Sequence, residues 1–282
     1  MIEHFAAPDG RRLAYRDSGG GGAPILCLAG LTRNGRDFDT LAAHLAPRYR
    51  VIRLDARGRG ASERAEVPEQ EYTVPVETGD ALALLGHLGL ESVAVIGTSR
   101  GGIVGMSMAA GAPGSVAALV LNDVGAVIEM RGLLHILSRL DRAPRDADFD
   151  AAAERLFAEN RGHFPSVPFE RWQRHARAIY DDDGTGRPCL SYDPHLRAAA
   201  AAVDDNAATI SLWPIFDAIG QVPVLVIRGE NSDILSRATV AAMAAHHPGL
   251  ALTEVAGRGH APFLDEPEAV GAIDRFLGEV YP

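Results

Sequence analysis

The feature that most constrains the fold is a series of short, continuous apolar runs rich in β-branched residues. Such runs are typical of strands buried on both faces, as in a parallel sheet. Stretches that suit helices lie between them, and this alternation predicts right-handed crossovers and a doubly wound α/β sheet. The predicted strands are 24–28, 50–54, 92–96, 116–121, 222–227 and 250–255, and the predicted helices include 37–45, 76–88, 101–110 and 266–280.

Two segments depart from this alternation. The N-terminal segment, to about residue 17, suits an added antiparallel hairpin that turns at Asp9-Gly10. Residues 125–213 contain no strand-like run and are rich in Ala, Arg and Asp, with scattered aromatic residues. We therefore predict a core domain of residues 1–124 and 214–282, with a helical cap of residues 125–213. Ligands of open α/β sheets bind at the carboxyl ends of the strands, so the cap should cover a binding site there.

Composition limits the partners. The formal net charge of −10 argues against a nucleic-acid partner and gives no reason for attraction to an anionic membrane. All 27 basic residues are arginine, which excludes lysine Schiff-base chemistry. The two cysteines, Cys27 and Cys189, do not make a disulfide framework, and no signal-peptide pattern or apolar run of about 20 residues is evident. We expect a cytoplasmic enzyme with a small-molecule substrate, and its oligomeric state cannot be read from the sequence.

The strongest functional signal is Gly97-Thr98-Ser99-Arg100-Gly101, between a predicted strand and a predicted helix. In that context Gly-x-Ser-x-Gly places the serine on a sharp, strained turn with its hydroxyl projecting from the sheet. A side chain at either glycine would collide with the neighbouring strand or helix. The N–H groups and positive dipole end of the following helix favour the negative charge that develops during acyl transfer. Ser99 is therefore the predicted nucleophile.

A serine nucleophile needs a base, and the base needs a carboxylate that fixes its tautomer. His260 is the predicted base because it lies in a glycine-rich loop after the last predicted strand. Asp233, which follows the strand at 222–227, is the preferred carboxylate, and the chain order Ser, Asp, His suits this kind of site. Asp123, at the end of the strand at 116–121, is the main alternative, and Glu230 is another.

Acyl transfer also requires N–H donors for the developing oxyanion. The backbone of Arg100, next to Ser99, should supply one donor. The loop after the strand at 24–28 should supply the other, and Leu31 is the predicted residue because Gly30 allows the chain to turn.

Together these motifs resemble the α/β-hydrolase superfamily over essentially the whole chain. The resembling segments are Leu28-Ala29-Gly30-Leu31, the Asp55-x-Arg57-Gly58-x-Gly60-x-Ser62 turn, the Gly97–Gly101 elbow and Gly259-His260. The resemblance implies an eight-stranded, mostly parallel sheet, a helical cap after the sixth strand, and no cofactor. Ala29 stands where the family often has histidine. Serine at position 99 argues against the dehalogenases and epoxide hydrolases of this family, which carry aspartate there.

The substrate is less constrained. The expected reaction is hydrolysis of a small or medium carboxylic ester through an acyl-enzyme. Two alternatives remain open on the same fold, namely cleavage of an activated carbon–carbon bond and a slow-turnover receptor for a small molecule.

Arg33 and Arg100 could receive a substrate carboxylate, and Trp172 could line the pocket, although aromatic residues at helical spacing are more often core. No metal site is evident, and Gly19–Gly22 lacks the spacing of a dinucleotide-binding loop.

Overall fold

The computed structural model describes residues 1–140, 142–200 and 207–282. An eight-stranded sheet has the order β1-β2-β4-β3-β5-β6-β11-β12, in which β2 is antiparallel to both neighbours and the remaining pairs are parallel. The doubly wound sheet predicted from the alternation is confirmed. The strands are β1 Glu3–Ala6, β2 Arg12–Asp17, β3 Pro24–Leu28, β4 Arg50–Leu54, β5 Val93–Thr98, β6 Val116–Asn122, β7 Val127–Glu129, β8 Tyr180–Asp182, β9 Pro188–Leu190, β10 Thr209–Ser211, β11 Val224–Gly229 and β12 Ala251–Val255.

Helices cover both faces of the sheet. They are α1 Asp39–Leu45, α2 Pro68–Glu71, α3 Val74–Leu88, α4 Arg100–Gly111, α5 Met130–Leu137, α6 Phe149–Asn160, α7 Phe169–Ile179, α8 Trp213–Ala218, α9 Arg237–His246 and α10 Pro267–Val280, with 3-10 turns at Gly35–Phe38 and Pro194–Ala200. Alternate residues of β5 enter separate cores, because successive strand side chains point to opposite faces. Val95 packs in the core under α3, α4 and α8, whereas Ala94 and Ile96 pack in the core under α1 and α10.

Each predicted sheet strand has a counterpart within about two residues, as is usual for element boundaries. The first two strands form the predicted antiparallel hairpin, and Gly10 adopts a positive φ of 87° in its turn. The prediction that every apolar run is buried on both faces is wrong for β12. This strand lies at the edge of the sheet, and most of its residues are exposed or partly exposed.

The segment between β6 and α8 carries α5, α6 and α7, with an apolar cluster of its own that includes Leu156, Phe164 and Trp172. The expectation that this segment lacks strands is wrong. Strand β7 pairs with β10, and β8 pairs with β9, both antiparallel. Each of these strands has three residues, which is too short for a period-two pattern to show in the sequence. The domain boundaries after residues 124 and 213 stay a prediction.

No helix within the described ranges is long and apolar enough to cross a membrane.

Candidate active site

Ser99 occupies the sharp turn between β5 and α4. Its backbone has φ 51° and ψ −116°, a conformation that few non-glycine residues adopt. The two framing glycines make this turn possible. A Cβ on Gly97 would lie 2.5 Å from the backbone of Gly102, and a Cβ on Gly101 would lie 2.0 Å from the carbonyl oxygen of Leu28. Any side chain at these positions would therefore separate the elbow from α4 or from β3.

His260 joins Ser99 to a buried carboxylate. Its Nε2 lies 2.9 Å from Oγ of Ser99, and its Nδ1 lies 2.8 Å from Oδ2 of Asp123. The Asp123 side chain is fully buried, and the His260 side chain is 10% exposed. The distances are those of hydrogen bonds, so one imidazole can pass a proton from Ser99 while the carboxylate fixes its orientation.

The carboxylate partner differs from the preferred sequence prediction. Asp233 forms no hydrogen bond or ion pair with His260, and Asp123, the alternative, occupies that place. The path of the chain after β11 accounts for the difference, because Gly229 and Ser232 of this turn bond to Asp123, whereas the backbone of Asp233 lies against Gly132 of α5. Asp233 instead lines the cavity above the site. The other alternative, Glu230, accepts a hydrogen bond of 2.8 Å from the backbone N–H of Gly257.

The chain after β11 holds Asp123 in place. The backbone N–H of Gly229 donates to Oδ1 at 2.8 Å, and the hydroxyl of Ser232 donates to Oδ2 at 2.6 Å. With His260, the carboxylate accepts three hydrogen bonds although no solvent reaches it, which satisfies a buried charge. Ser232 could not be predicted from the sequence, because nothing in its local pattern distinguishes it from an ordinary loop serine.

The loop after β3 lies beside the nucleophile. A Cβ on Gly30 would be 3.8 Å from Cβ of Ser99, so the backbone at Leu31 is close to the reacting hydroxyl. Among the described residues, the backbone N–H groups of Leu31 and Arg100 have no hydrogen-bond acceptor. Two unpaired N–H groups flanking a serine are what an oxyanion requires. The assignment of Leu31 and Arg100 as its donors stays a prediction.

The two arginines next to the site are each paired with an acid. Both Nε and Nη2 of Arg33 donate to Asp37 at 2.7 Å, and its guanidinium lies 3.3–3.4 Å from the ring nitrogens of His175. Arg100 donates from Nε to Oε2 of Glu77 at 2.7 Å. Arg33 therefore borders the cavity as half of an ion pair, and the Arg100 guanidinium is committed to Glu77.

Trp172 lies in the wall between the cavity and the cap. It is 2% exposed and makes edge-on ring contacts with Phe164, His175 and Phe263. These contacts make it chiefly a part of the cap core, which was the more common expectation for an aromatic residue at helical spacing. Its role in substrate binding stays a prediction.

A cavity of about 720 Å³ opens above Ser99 and His260. Its walls come from the loop after β3, from the His260 loop and from α5, α6 and α7. This volume suits a small or medium organic ligand. His175 faces this cavity, and burial, together with the nearby guanidinium groups of Arg33 and Arg171, lowers its pKa well below the ordinary value, so the ring is neutral. Within the described part of the chain, no cluster of His, Cys, Asp or Glu could hold a metal ion.

The fold and this site define an α/β hydrolase with a serine in the nucleophile position. The model of the Alpha/beta hydrolase family matches residues 25–273, and the chain belongs to that family.

Several relatives extend over nearly the whole chain. The 3-hydroxybutyrate-oligomer hydrolase of Cupriavidus necator is 36% identical over 94% of this chain and 92% of its own length. The 2-(acetamidomethylene)succinate hydrolase of Mesorhizobium japonicum is 28% identical over 92% of this chain and 89% of its own. A crystal structure of an α/β hydrolase from Novosphingobium aromaticivorans superposes with a TM-score of 0.91, at 38% identity, over 99% of this chain and 98% of that one. The chain is thus a hydrolase by family and by the names of its relatives.

Proposed function

We propose that this protein is a serine esterase that hydrolyses short oligoesters of a hydroxy acid through an acyl-enzyme. The observation that carries the proposal is the unbroken hydrogen-bonded series from Asp123 through His260 to Ser99, at 2.8 and 2.9 Å, at the floor of the cavity. A serine hydroxyl is a weak nucleophile without a base, and this arrangement supplies the base and its orienting carboxylate.

The reaction follows from the geometry. Ser99 Oγ attacks the ester carbonyl while Nε2 of His260 takes its proton. The carbonyl oxygen becomes an oxyanion held by the N–H groups of Leu31 and Arg100, each donor contributing about 3 kcal/mol to lowering the barrier. The ester C–O bond then breaks, and the imidazolium gives its proton to the leaving alcohol. Water, deprotonated by the same histidine, attacks the acyl-enzyme, and the acid leaves as Ser99 regains its proton.

Two observations support an oligoester with a free carboxylate. The relative from Cupriavidus necator, which is 36% identical, is named for 3-hydroxybutyrate oligomers. The cavity wall also carries a modest excess of positive charge. Five of its eight described arginines are paired with acids, whereas Arg142, Arg174 and Arg177 form no ion pair with any described residue, against one unpaired acid, Asp233. Such an excess of positive charge raises the local concentration of an anionic substrate.

The test is hydrolysis of the linear dimer and trimer of 3-hydroxybutyrate by the wild type and by Ser99→Ala, with the methyl-capped dimer as the matched uncharged substrate. We expect turnover that Ser99→Ala abolishes, with a higher kcat/KM for the free acid than for the capped dimer. Equal rates would contradict the anionic preference. Ser99-dependent hydrolysis of p-nitrophenyl esters without oligomer cleavage would support the esterase and overturn its substrate.

A fluorophosphonate probe separates the two alternatives that the sequence leaves open. Labelling of Ser99 with a single acylation burst and no sustained turnover would indicate a receptor. Labelling with release of product only from a β-diketone substrate would indicate a carbon–carbon hydrolase. If the probe does not label Ser99, this serine is not an activated nucleophile and the proposal fails.

A further inference from the structure

A buried carboxylate on α3 lies between two guanidinium groups beneath the Ser99 elbow. Glu77 is 3% exposed, with its Oε1 2.8 Å from Nη1 of Arg59 and its Oε2 2.7 Å from Nε of Arg100. Arg59 is 1% exposed and Arg100 is 15% exposed. Burying three charges is unfavourable unless each is paired, so this cluster is expected to have a specific role rather than to add much stability.

Each guanidinium is tied to one of the two residues whose N–H groups flank Ser99. Arg59 donates from Nε to the backbone carbonyl of Leu31 at 2.7 Å, which fixes the loop after β3. Arg100 is the first residue of α4, so its side chain fixes the start of that helix against α3. Among the described residues, Glu77 is the only acid that pairs with both of these guanidinium groups.

The remaining contacts make the cluster rigid. Arg59 also donates from Nη1 to the carbonyl of Arg57 at 2.7 Å and stacks over the ring of the fully buried Tyr72. Arg100 donates from Nη2 to the carbonyl of Tyr72 at 3.0 Å. Although burial alone would raise the pKa of Glu77, the two guanidinium groups hold that pKa below its ordinary value. The cluster therefore keeps two positive charges and one negative charge close to Ser99.

We propose that Glu77 is a positioning residue for acyl transfer. By pairing with the side chains of Arg59 and Arg100, it holds the backbone N–H groups of Leu31 and Arg100 at the spacing that the oxyanion requires. The cluster carries one net positive charge next to the two residues whose N–H groups would hold the oxyanion. This inference rests on the proposed esterase function. It assigns to Glu77 an effect on the transition state and none on the binding of the substrate.

The test compares Glu77→Gln and Arg59→Lys with a matched control on the same helix. Asp80 is also buried, at 2% exposure, and pairs at 2.7 Å with both Nε and Nη2 of the buried Arg57. The Arg57 side chain continues to Asp9 and Glu71, and only its backbone carbonyl meets Arg59, so Asp80→Asn breaks a similar ion pair whose side chains do not reach the elbow. Steady-state kinetics with a p-nitrophenyl ester and the rate constant of fluorophosphonate labelling are measured for each variant, well below its melting temperature.

We expect Glu77→Gln to lower kcat and the labelling rate constant by about tenfold to a hundredfold, because small displacements of oxyanion donors have effects of this size. KM should change less than about twofold. Arg59→Lys, which retains the charge but loses the fork, should show a smaller loss of the same kind. Asp80→Asn should lower the melting temperature comparably and leave kcat unchanged.

One outcome is that the wild type is active through Ser99 while Glu77→Gln and Arg59→Lys both keep the wild-type kcat. That result would overturn the inference about Glu77 but would still support the proposed esterase. An equal loss of kcat in Asp80→Asn would also overturn the inference, because the effect would then be one of stability. If the wild type shows neither turnover nor labelling at Ser99, the proposed function and this inference fail together. Should Glu77→Gln not fold, Arg59→Lys against Asp80→Asn decides.

Discussion

The hydroxyl of Ser232 donates a 2.6 Å hydrogen bond to Oδ2 of Asp123, the same carboxylate oxygen that faces Nδ1 of His260. The hydroxyl oxygen also accepts from the backbone N–H groups of Ile234 and Leu235 at 3.3 and 3.1 Å. Ser232 thus links the turn after β11 to the carboxylate after β6. The orientation of His260 depends on two neighbouring strand ends rather than on one.

Asp123 and Asp233 provide a matched pair of substitutions. Asp123→Asn should reduce kcat by about 10³- to 10⁴-fold, because an amide stabilises the wrong histidine tautomer and cannot support the imidazolium. Asp233→Asn removes a carboxylate that lines the cavity but forms no hydrogen bond or ion pair with His260, so kcat should stay within a few-fold of the wild type. Kinetics on a p-nitrophenyl ester measure both. A larger loss of kcat in Asp233→Asn than in Asp123→Asn would show that Asp233, the residue preferred from the sequence, is the carboxylate partner of His260.

Ser232→Ala tests the link between the two strand ends. The variant removes one of three hydrogen bonds to Asp123, and bonds to charged groups contribute about 1.5–3 kcal/mol. We expect kcat to fall about tenfold, with KM little changed, because the substrate does not need this hydroxyl to bind. Ser232→Thr, which retains the hydroxyl, is the matched control and should recover most of the loss. Unchanged kcat in Ser232→Ala would show that Gly229 and His260 suffice to hold the carboxylate.

The carboxylate partner of His260 is the part of the site that the sequence did not determine. Asp123 and Asp233 both follow buried strands, and both lie between Ser99 and His260 in the chain, so order alone cannot separate them. The choice depends on the path of the chain after β11, which brings Gly229 and Ser232 to Asp123. This path is a tertiary property and leaves no local pattern in the sequence.

Other parts of the fold could be predicted from the sequence because local interactions determine them. The apolar runs predicted β3 and β4 to the residue, and the glycines that frame Ser99 predicted an elbow whose contacts leave no room for side chains. The ion pair of Arg100 was left open because its partner, Glu77, is distant in sequence. Arg33 pairs with Asp37, only four residues away, so that pair was within reach of the sequence.

His175 predicts a pH dependence of stability. Burial, with Arg33 and Arg171, lowers its folded pKa well below the value of 6.5 that applies in the unfolded chain. The unfolded chain therefore binds more protons below that value, so the contribution of this ring to stability is full above pH 6.5 and is lost as the pH falls.

His175→Gln should remove this part of the slope of unfolding free energy below pH 6.5, where one such group contributes at most about 1.4 kcal/mol per pH unit. His175 as a whole is not fully buried, so the observed change should be below that limit. Denaturant unfolding at several pH values measures the slope, which is independent of any constant loss of packing. Parallel curves for the two proteins would show that His175 titrates alike in both states.

Two glycines of α4 test the elbow directly. A Cβ on Gly101 would lie 2.0 Å from the carbonyl oxygen of Leu28 and 2.4 Å from its carbon, so Gly101→Ala must separate α4 from β3. We expect it to destabilise the fold by more than about 3 kcal/mol, as overpacking against an unyielding backbone does, and to abolish Ser99-dependent turnover. Gly111 ends the same helix with no atom within 4 Å of an added Cβ, and Gly111→Ala should change stability by at most about 1 kcal/mol, in the stabilising direction, with full activity. Thermal unfolding and ester kinetics on the pair measure both effects, and wild-type stability with wild-type turnover in Gly101→Ala would mean that the elbow does not pack on β3.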